Sequence, residues 1–167
     1  MEQEIASTAA FILAAADHTN PYYHNVPEKF KFPAVYFPSP EITTGGETFR
    51  TYRMEFAWYI TFHHSTSEGA YELAHAALSA IMGHRCLIPL LNKDGSKAGG
   101  YLRIDTASVK GLDAGVFQLA LTFVSRRPYF AEVGETVNKF FASLHAKSTE
   151  PGESVADYPA LFATPKN

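Results

Sequence analysis

Seven histidines and a single cysteine are the side chains in this sequence best suited to metal binding or nucleophilic catalysis. His63 and His64 stand side by side, with His75 and His84 further along, a set from which a divalent ion could draw ligands. Neighbours on a strand point to opposite faces, so a regular strand through residues 53–63 does not let His63 and His64 hold one ion together. His75 falls in the middle of a helical pattern with no ligand one turn away. His84 and Cys86 have the types of a general base and a thiol nucleophile, yet Cys86-Leu87-Ile88 is an apolar run in which a thiol packs as a small hydrophobe. Gly45-Gly46 and Gly99-Gly100 lack the lysine, the hydroxyl residue and the strand-to-helix setting of a phosphate-binding loop, so they read as turn glycines. Arg103, Arg126 and Arg127, with aromatics nearby, invite a nucleic-acid reading, but three arginines at strand ends are commonly paired rim residues. No catalytic residue, cofactor or metal is expected, and the enzyme alternative would have to use His63, His84 or Cys86.

The elements that position these residues follow from composition and period. At 167 residues with 46% hydrophobic and 19% charged side chains, the chain has the content of a folded domain with its own core. Fourteen basic against seventeen acidic residues leave a net charge of -3, the wrong sign for a surface that neutralises a run of phosphates. One cysteine excludes an intramolecular disulfide, and neither a basic leader nor an apolar run of about 20 residues is read near the N-terminus, so secretion and membrane insertion are not expected.

Residues 4–16 carry Ile5, Ala9, Ile12 and Leu13 at helical spacing. The run from Pro21 to Pro27 reads as a loop, and residues 32–37, with Pro33 and Pro38, as an edge strand or a strand with solvent-facing proline positions. Residues 38–47 read as a flexible glycine-containing connection. Residues 53–63 alternate strictly, with Met54, Phe56, Trp58, Ile60 and Phe62 on one face, which predicts a half-buried strand. Ser65, Thr66 and Ser67 offer caps to a helix ending at Gly83. Residues 86–91 form a short apolar run, 92–100 a polar loop, 101–104 an extended segment, and 110–115 a turn into a second long strand over 116–125. Beyond Pro128 the pattern fades to one weak helical segment, 136–145, and a proline-containing tail, 147–167.

This order resembles the tail terminator, or tail completion, proteins of long-tailed bacteriophages. The residues that carry the resemblance are Phe32-Pro33-Ala34-Val35-Tyr36-Phe37-Pro38, the alanine-rich Gly69 to Leu78 helix, the Ile88-Pro89 break, the stretch from Asp113 to Phe123, and Arg127-Pro128-Tyr129. The resemblance covers residues 4–130. It implies an α+β fold, a mostly antiparallel sheet with two main helices packed on one face, over residues 1–130, with 131–167 as a C-terminal arm departing from the family pattern. It also implies a virion structural protein with no enzymatic activity, assembled in the host cytoplasm. The expected assembly is a homo-hexameric ring that ends tail tube polymerisation, meets the tail tube protein on one face and the head-tail connector or stopper protein on the other, and passes DNA through its lumen without specific binding. A head-completion or stopper subunit is the nearest alternative. The candidate contact residues are Glu41, Thr43, Thr44 and Glu47 in the first loop, Lys93, Asp94, Lys97, Tyr101 and Arg103 around the second, and Arg126, Arg127 and Tyr129 at the end of the last strand. Exposed aromatics at loop and strand ends, Tyr22 and Tyr52 among them, suit either a core edge or an association surface.

Overall fold

The computed structural model describes residues 3–23 and 31–130. Nine elements follow in order: α1 (Gln3–Ala15), β1 (Asn20–Tyr23), β2 (Ala34–Phe37), β3 (Glu41–Gly46), β4 (Thr51–His63), α2 (Ser67–Gly83), β5 (Leu87–Leu91), β6 (Lys97–Asp113) and β7 (Val116–Pro128). Among the described residues the strands form one seven-stranded sheet in the order β1-β2-β4-β7-β6-β5, with β3 also paired to β4. Every pairing is antiparallel except β1 with β2, and the two helices pack on the sheet, as expected of an α+β fold.

The sheet is organised by β4 and β7, which pair without interruption from Thr51 opposite Pro128 to His63 opposite Val116. Their alternation puts Phe56, Trp58, Ile60 and Phe62 of β4 and Leu119, Leu121 and Phe123 of β7 into the core. Phe56 and Phe123, directly opposite, stack with centroids 4.7 Å apart. α2 buries Ala70, Ala74, Ala77 and Ile81. Small side chains along that stripe let the helix axis approach the aromatic strands closely at native packing density. α1 buries Ile5, Ala9 and Ile12, together with Ser7 and Thr8. The two hydroxyls are accommodated because they donate to the carbonyls of Gln3 (2.7 Å) and Glu4 (2.8 Å), and Ser7 Oγ also accepts from the Leu91 amide at 2.9 Å. That last bond ties α1 to β5.

Several expectations need correction. Residues 38–47 are not a flexible connection: Glu41–Gly46 is a strand, antiparallel to β4, exposed along nearly its whole length and so without the apolar period that marks a strand in sequence. Residues 32–37 do not form an edge, because Asn20–Tyr23 adds in parallel beyond β2 where a loop was expected. Both flanking prolines, Pro33 and Pro38, stand just outside β2. The second polar loop shrinks to the turn after Asn92, since β6 begins at Lys97 and continues through Gly99-Gly100 and Gly111 to Asp113. Its first part pairs with β5 and its second with β7, with an irregularity between Ile104 and Thr106 where the strand changes partner. The helical segment 136–145 and the arm 131–167 lie outside the described residues.

β2 and β3 lie end to end along the same side of β4, and Trp58 holds the break between them: its Nε1 donates to the Pro38 carbonyl at 2.6 Å while the ring packs 5.8 Å from Phe37. A second fixed point is Gly115, which turns β6 into β7 at φ +73, donates its amide to Ser67 Oγ (3.0 Å) and accepts from the His64 amide (2.9 Å). A Cβ there would meet the His64 carbonyl oxygen at 2.5 Å. Gly115→Ala is therefore expected to cost more than about 1 kcal/mol, combining a left-handed backbone with a backbone collision. Trp58→Phe, which leaves the Pro38 carbonyl without its donor, should cost about 1–3 kcal/mol. Urea unfolding of both variants checks these values.

Candidate interaction surfaces

The residues with catalytic types are used structurally. His64 Nδ1 accepts from the Thr66 amide at 3.2 Å and lies 3.1 Å from Thr66 Oγ1, the hydroxyl that caps α2 by accepting from the Gly69 amide. His63 turns to the sheet face, 3.0 Å from Thr61 Oγ1. His75 packs at a tilt against Tyr71, ring centroids 5.5 Å apart, and approaches Ser79 Oγ at 3.3 Å. His84 donates from Nδ1 to the Ala80 carbonyl at 3.0 Å and meets the edge of Phe11, while the Cys86 thiol contacts the Met82 sulfur at 3.7 Å. His84 and Cys86 thus have different partners, and Arg85 and Cys86 adopt left-handed φ values where α2 ends. Among the described residues no group of three or more histidine, cysteine or carboxylate side chains is arranged to hold a metal ion.

The expected contact residues fall into two separate places. The first joins two segments distant in sequence, because β3 and β7 flank β4. Glu41, Thr43 and Thr44 line β3, and Glu47 beyond its end accepts from Arg126 Nε through both oxygens at 2.9 Å. Arg127 Nη2 is 3.6 Å from Glu4 Oε1, the oxygen that also accepts from Ser125 Oγ at 2.8 Å, so the end of β7 is anchored to the start of α1. Tyr129 packs on Tyr52 with centroids 5.3 Å apart and donates its amide to the Arg50 carbonyl. At the tip, Thr48 Oγ1 accepts from the Arg50 and Thr51 amides at 3.1 and 3.0 Å, which fixes the turn while Phe49 projects wholly into solvent.

The second place is the β5–β6 hairpin. Asn92 and Ser96 close its turn, and Gly95 supplies the positive φ it requires. Asp94 accepts from the Ser96 hydroxyl (2.6 Å) and amide (2.9 Å), bonds that hold its carboxyl below the ordinary range. Lys93, Lys97, Tyr101 and Arg103 are exposed around it. Arg103 pairs opposite Leu87 whereas Arg126 pairs opposite Arg53, so the three arginines do not form one basic patch.

Between these places the sheet face turned away from the core is formed by Ala57, Tyr59, Thr61 and His63 of β4, Gln118, Ala120 and Thr122 of β7, and Thr106 and Ser108 of β6. Apart from Tyr59 and Val124 it is polar or small, and an open depression of about 400 Å³ near Glu41, Glu55 and Asp105 gives one end an acidic character. Sequence reasoning missed Phe49, the Glu4 anchor of Arg127, and Lys110. The only signal for Phe49 was a large apolar residue between Thr48 and Arg50 with no periodic partner.

No known protein family profile matches the chain. Over 129 residues, 77% of this chain and 88% of the relative, it is 27% identical to the phage-like element PBSX protein XkdJ of Bacillus subtilis (strain 168). Over 140 residues, 84% of this chain and 95% of the relative, it is 22% identical to the protein YqbJ of the same organism. Among solved structures it is similar to a chain of the virion of a native gene transfer agent particle, with a TM-score of 0.39 and 16% identity, covering 73% of this chain and 84% of that one. The chain thus has a relative in a phage-like element.

Burial pushes His63 below its ordinary 6.5. The unfolded chain therefore takes up this proton first, and the fold loses stability as pH falls below about 6.5 toward the lower folded value. Replacing His63 with Gln should reduce the decrease in Tm between about pH 7.5 and pH 5.5; an unchanged decrease would remove His63 as its source.

Proposed function

We propose that this chain is a virion structural subunit, working by binding rather than by catalysis, that forms a homo-hexameric ring at the head-proximal end of a phage-type tail. The ring ends growth of the tail tube, with the tail tube protein on one face and the connector or stopper protein on the other. The observation that carries the reading is the relationship, over 77% of this chain and 88% of the relative, to a protein of a phage-like element. The order of motifs from residue 32 to residue 129, which resembles tail terminators, supports a place at the neck.

The chemistry of the surfaces supports the same reading. Proteins that assemble by repetition need patches that differ from one another, so that one copy's patch meets another patch on its neighbour. Here the tip beside Arg126 and the β5–β6 hairpin are separate, polar-rimmed and held rigid by side-chain hydrogen bonds to the backbone. The open sheet face carries hydroxyls, small side chains and carboxylates, a lining suited to a lumen through which DNA passes without sticking. The contact roles of Glu41, Thr43, Thr44, Glu47, Lys93, Asp94, Lys97, Tyr101, Arg103, Arg126, Arg127 and Tyr129 belong to this proposal, as does the assignment of residues 131–167 to an arm reaching a neighbouring subunit or the tube.

Deleting the gene from the particle that encodes it should give tails of uncontrolled length that remain unjoined to filled heads, restored by supplying the full chain in trans. Tails of normal length that still fail to join heads would favour a stopper role instead. Intact particles would reject the neck reading altogether.

A further inference from the structure

Four strands, β3-β4-β7-β6, make the antiparallel body of the sheet, and among the described residues each end of this body has a backbone edge with no further strand on it. Among the described residues β3 pairs only with β4, and the part of β6 beyond Ile104 pairs only with β7, because β5 covers β6 no further than Arg103. Bare edges invite strand addition, and proteins commonly guard them with proline or lysine. The outermost strands are guarded in this way: β1 contains Pro21 and β5 contains Pro89. β3, with the sequence Glu-Ile-Thr-Thr-Gly-Gly, contains neither.

The two bare edges are complementary. Four alternating strands place β3 and β6 antiparallel to each other, and rotation about an axis inclined to the strands keeps that sense across the new edge while shifting one copy along it. A second copy therefore brings its β3 to this β6 in the antiparallel sense that continues the sheet. Registers that differ by two residues keep every residue on its own face, and among these the charges and apolar side chains favour one. Thr43 would stand opposite Ser108 on the open face, where they already pair with Glu55 and Ala120 within the chain. In the same register Glu41 meets Lys110, and Ile42, 46% exposed, meets Val109, which packs against the core. The backbone phase agrees: the Glu47 amide bonds the Thr51 carbonyl, so alternate residues of β3 from Glu41 turn to β4, while Ile42 and Thr44 turn their amides outward.

We infer that copies of this chain associate head to tail by strand addition, β3 of one copy pairing antiparallel with residues 107–110 of β6 in the next. The inference rests on the ring reading and names the edges that close the ring. It makes the sheet continuous between subunits and leaves the open polar face on one side throughout.

The test uses the full chain with Cys86→Ser, carrying Thr43→Cys and Ser108→Cys together or singly, oxidised at high protein concentration. The expected result is a ladder of disulfide-linked multimers from the double variant and none from either single variant, since a facing pair outside the hydrogen-bonded positions has the separation a disulfide needs. Adding Glu41→Lys or Lys110→Glu alone should lower the multimer yield about two- to five-fold, and adding both should restore it. Linked dimers from Thr43→Cys alone would mean that β3 pairs with β3, and a double variant that stays monomeric would mean no strand addition; either overturns the inference. Imaging the same preparations with tail tubes separates this from the functional reading. A ladder without tube capping keeps the pairing and removes the terminator role, whereas capping rings that give no ladder keep the role and remove the pairing.

Discussion

Everything else in this molecule depends on the uninterrupted pairing of β4 with β7. A single-residue slip of β7 against β4 would send Leu119, Leu121 and Phe123 to the solvent face and bring Gln118, Ala120 and Thr122 into the core, and a slip of β4 would do the same to Phe56, Trp58 and Ile60. That penalty fixes the register, and the register in turn fixes the two faces: one receives α1 and α2, the other remains polar and open. The position of each candidate surface follows. β3 lies beside β4 because the pairing continues down the second half of the same strand, and Arg126 meets Glu47 because the end of β7 lies across β4 from the end of β3.

The core is anchored at three tertiary joints rather than by secondary structure alone. Trp58 closes the break between β2 and β3, Ser7 ties α1 to β5, and Gly115 brings the β6–β7 turn onto the N-terminal end of α2. Each joint satisfies a backbone group that a break in the ladder or a turn would otherwise leave without a partner. The charged pairs at the surface, Arg126 with Glu47 and Arg53 with Glu55, are too exposed to stabilise the fold by more than about 1 kcal/mol each, and their effect is to orient side chains.

How much of this was legible in the sequence depended on burial. β4, β7 and α2 bury a regular face, so Phe56, Trp58 and Leu121 at period two and Ala70, Ala74 and Ala77 at helical spacing announced them. β3 buries almost nothing and is held by backbone bonds to β4, so Thr43, Thr44, Gly45 and Gly46 look like a connection. β1 joins β2 in parallel through Pro21, and β6 crosses three glycines, because pairing on a neighbour's backbone outweighs local preference. The same limit applied to the surfaces: Glu41 and Arg126 were recognisable as exposed polar residues, whereas the edge that includes Lys110 exists only once the strand order is known.

The central claim is that identical copies of this chain close into a ring that caps a tail tube. The most direct measurement is electron microscopy of the purified full chain, alone and mixed with tail tubes assembled without it. The account predicts six-fold rings, free or seated at one end of each tube, and tubes that no longer elongate when tube protein is added. Protein that leaves both tube ends bare and tube growth unchanged would contradict it.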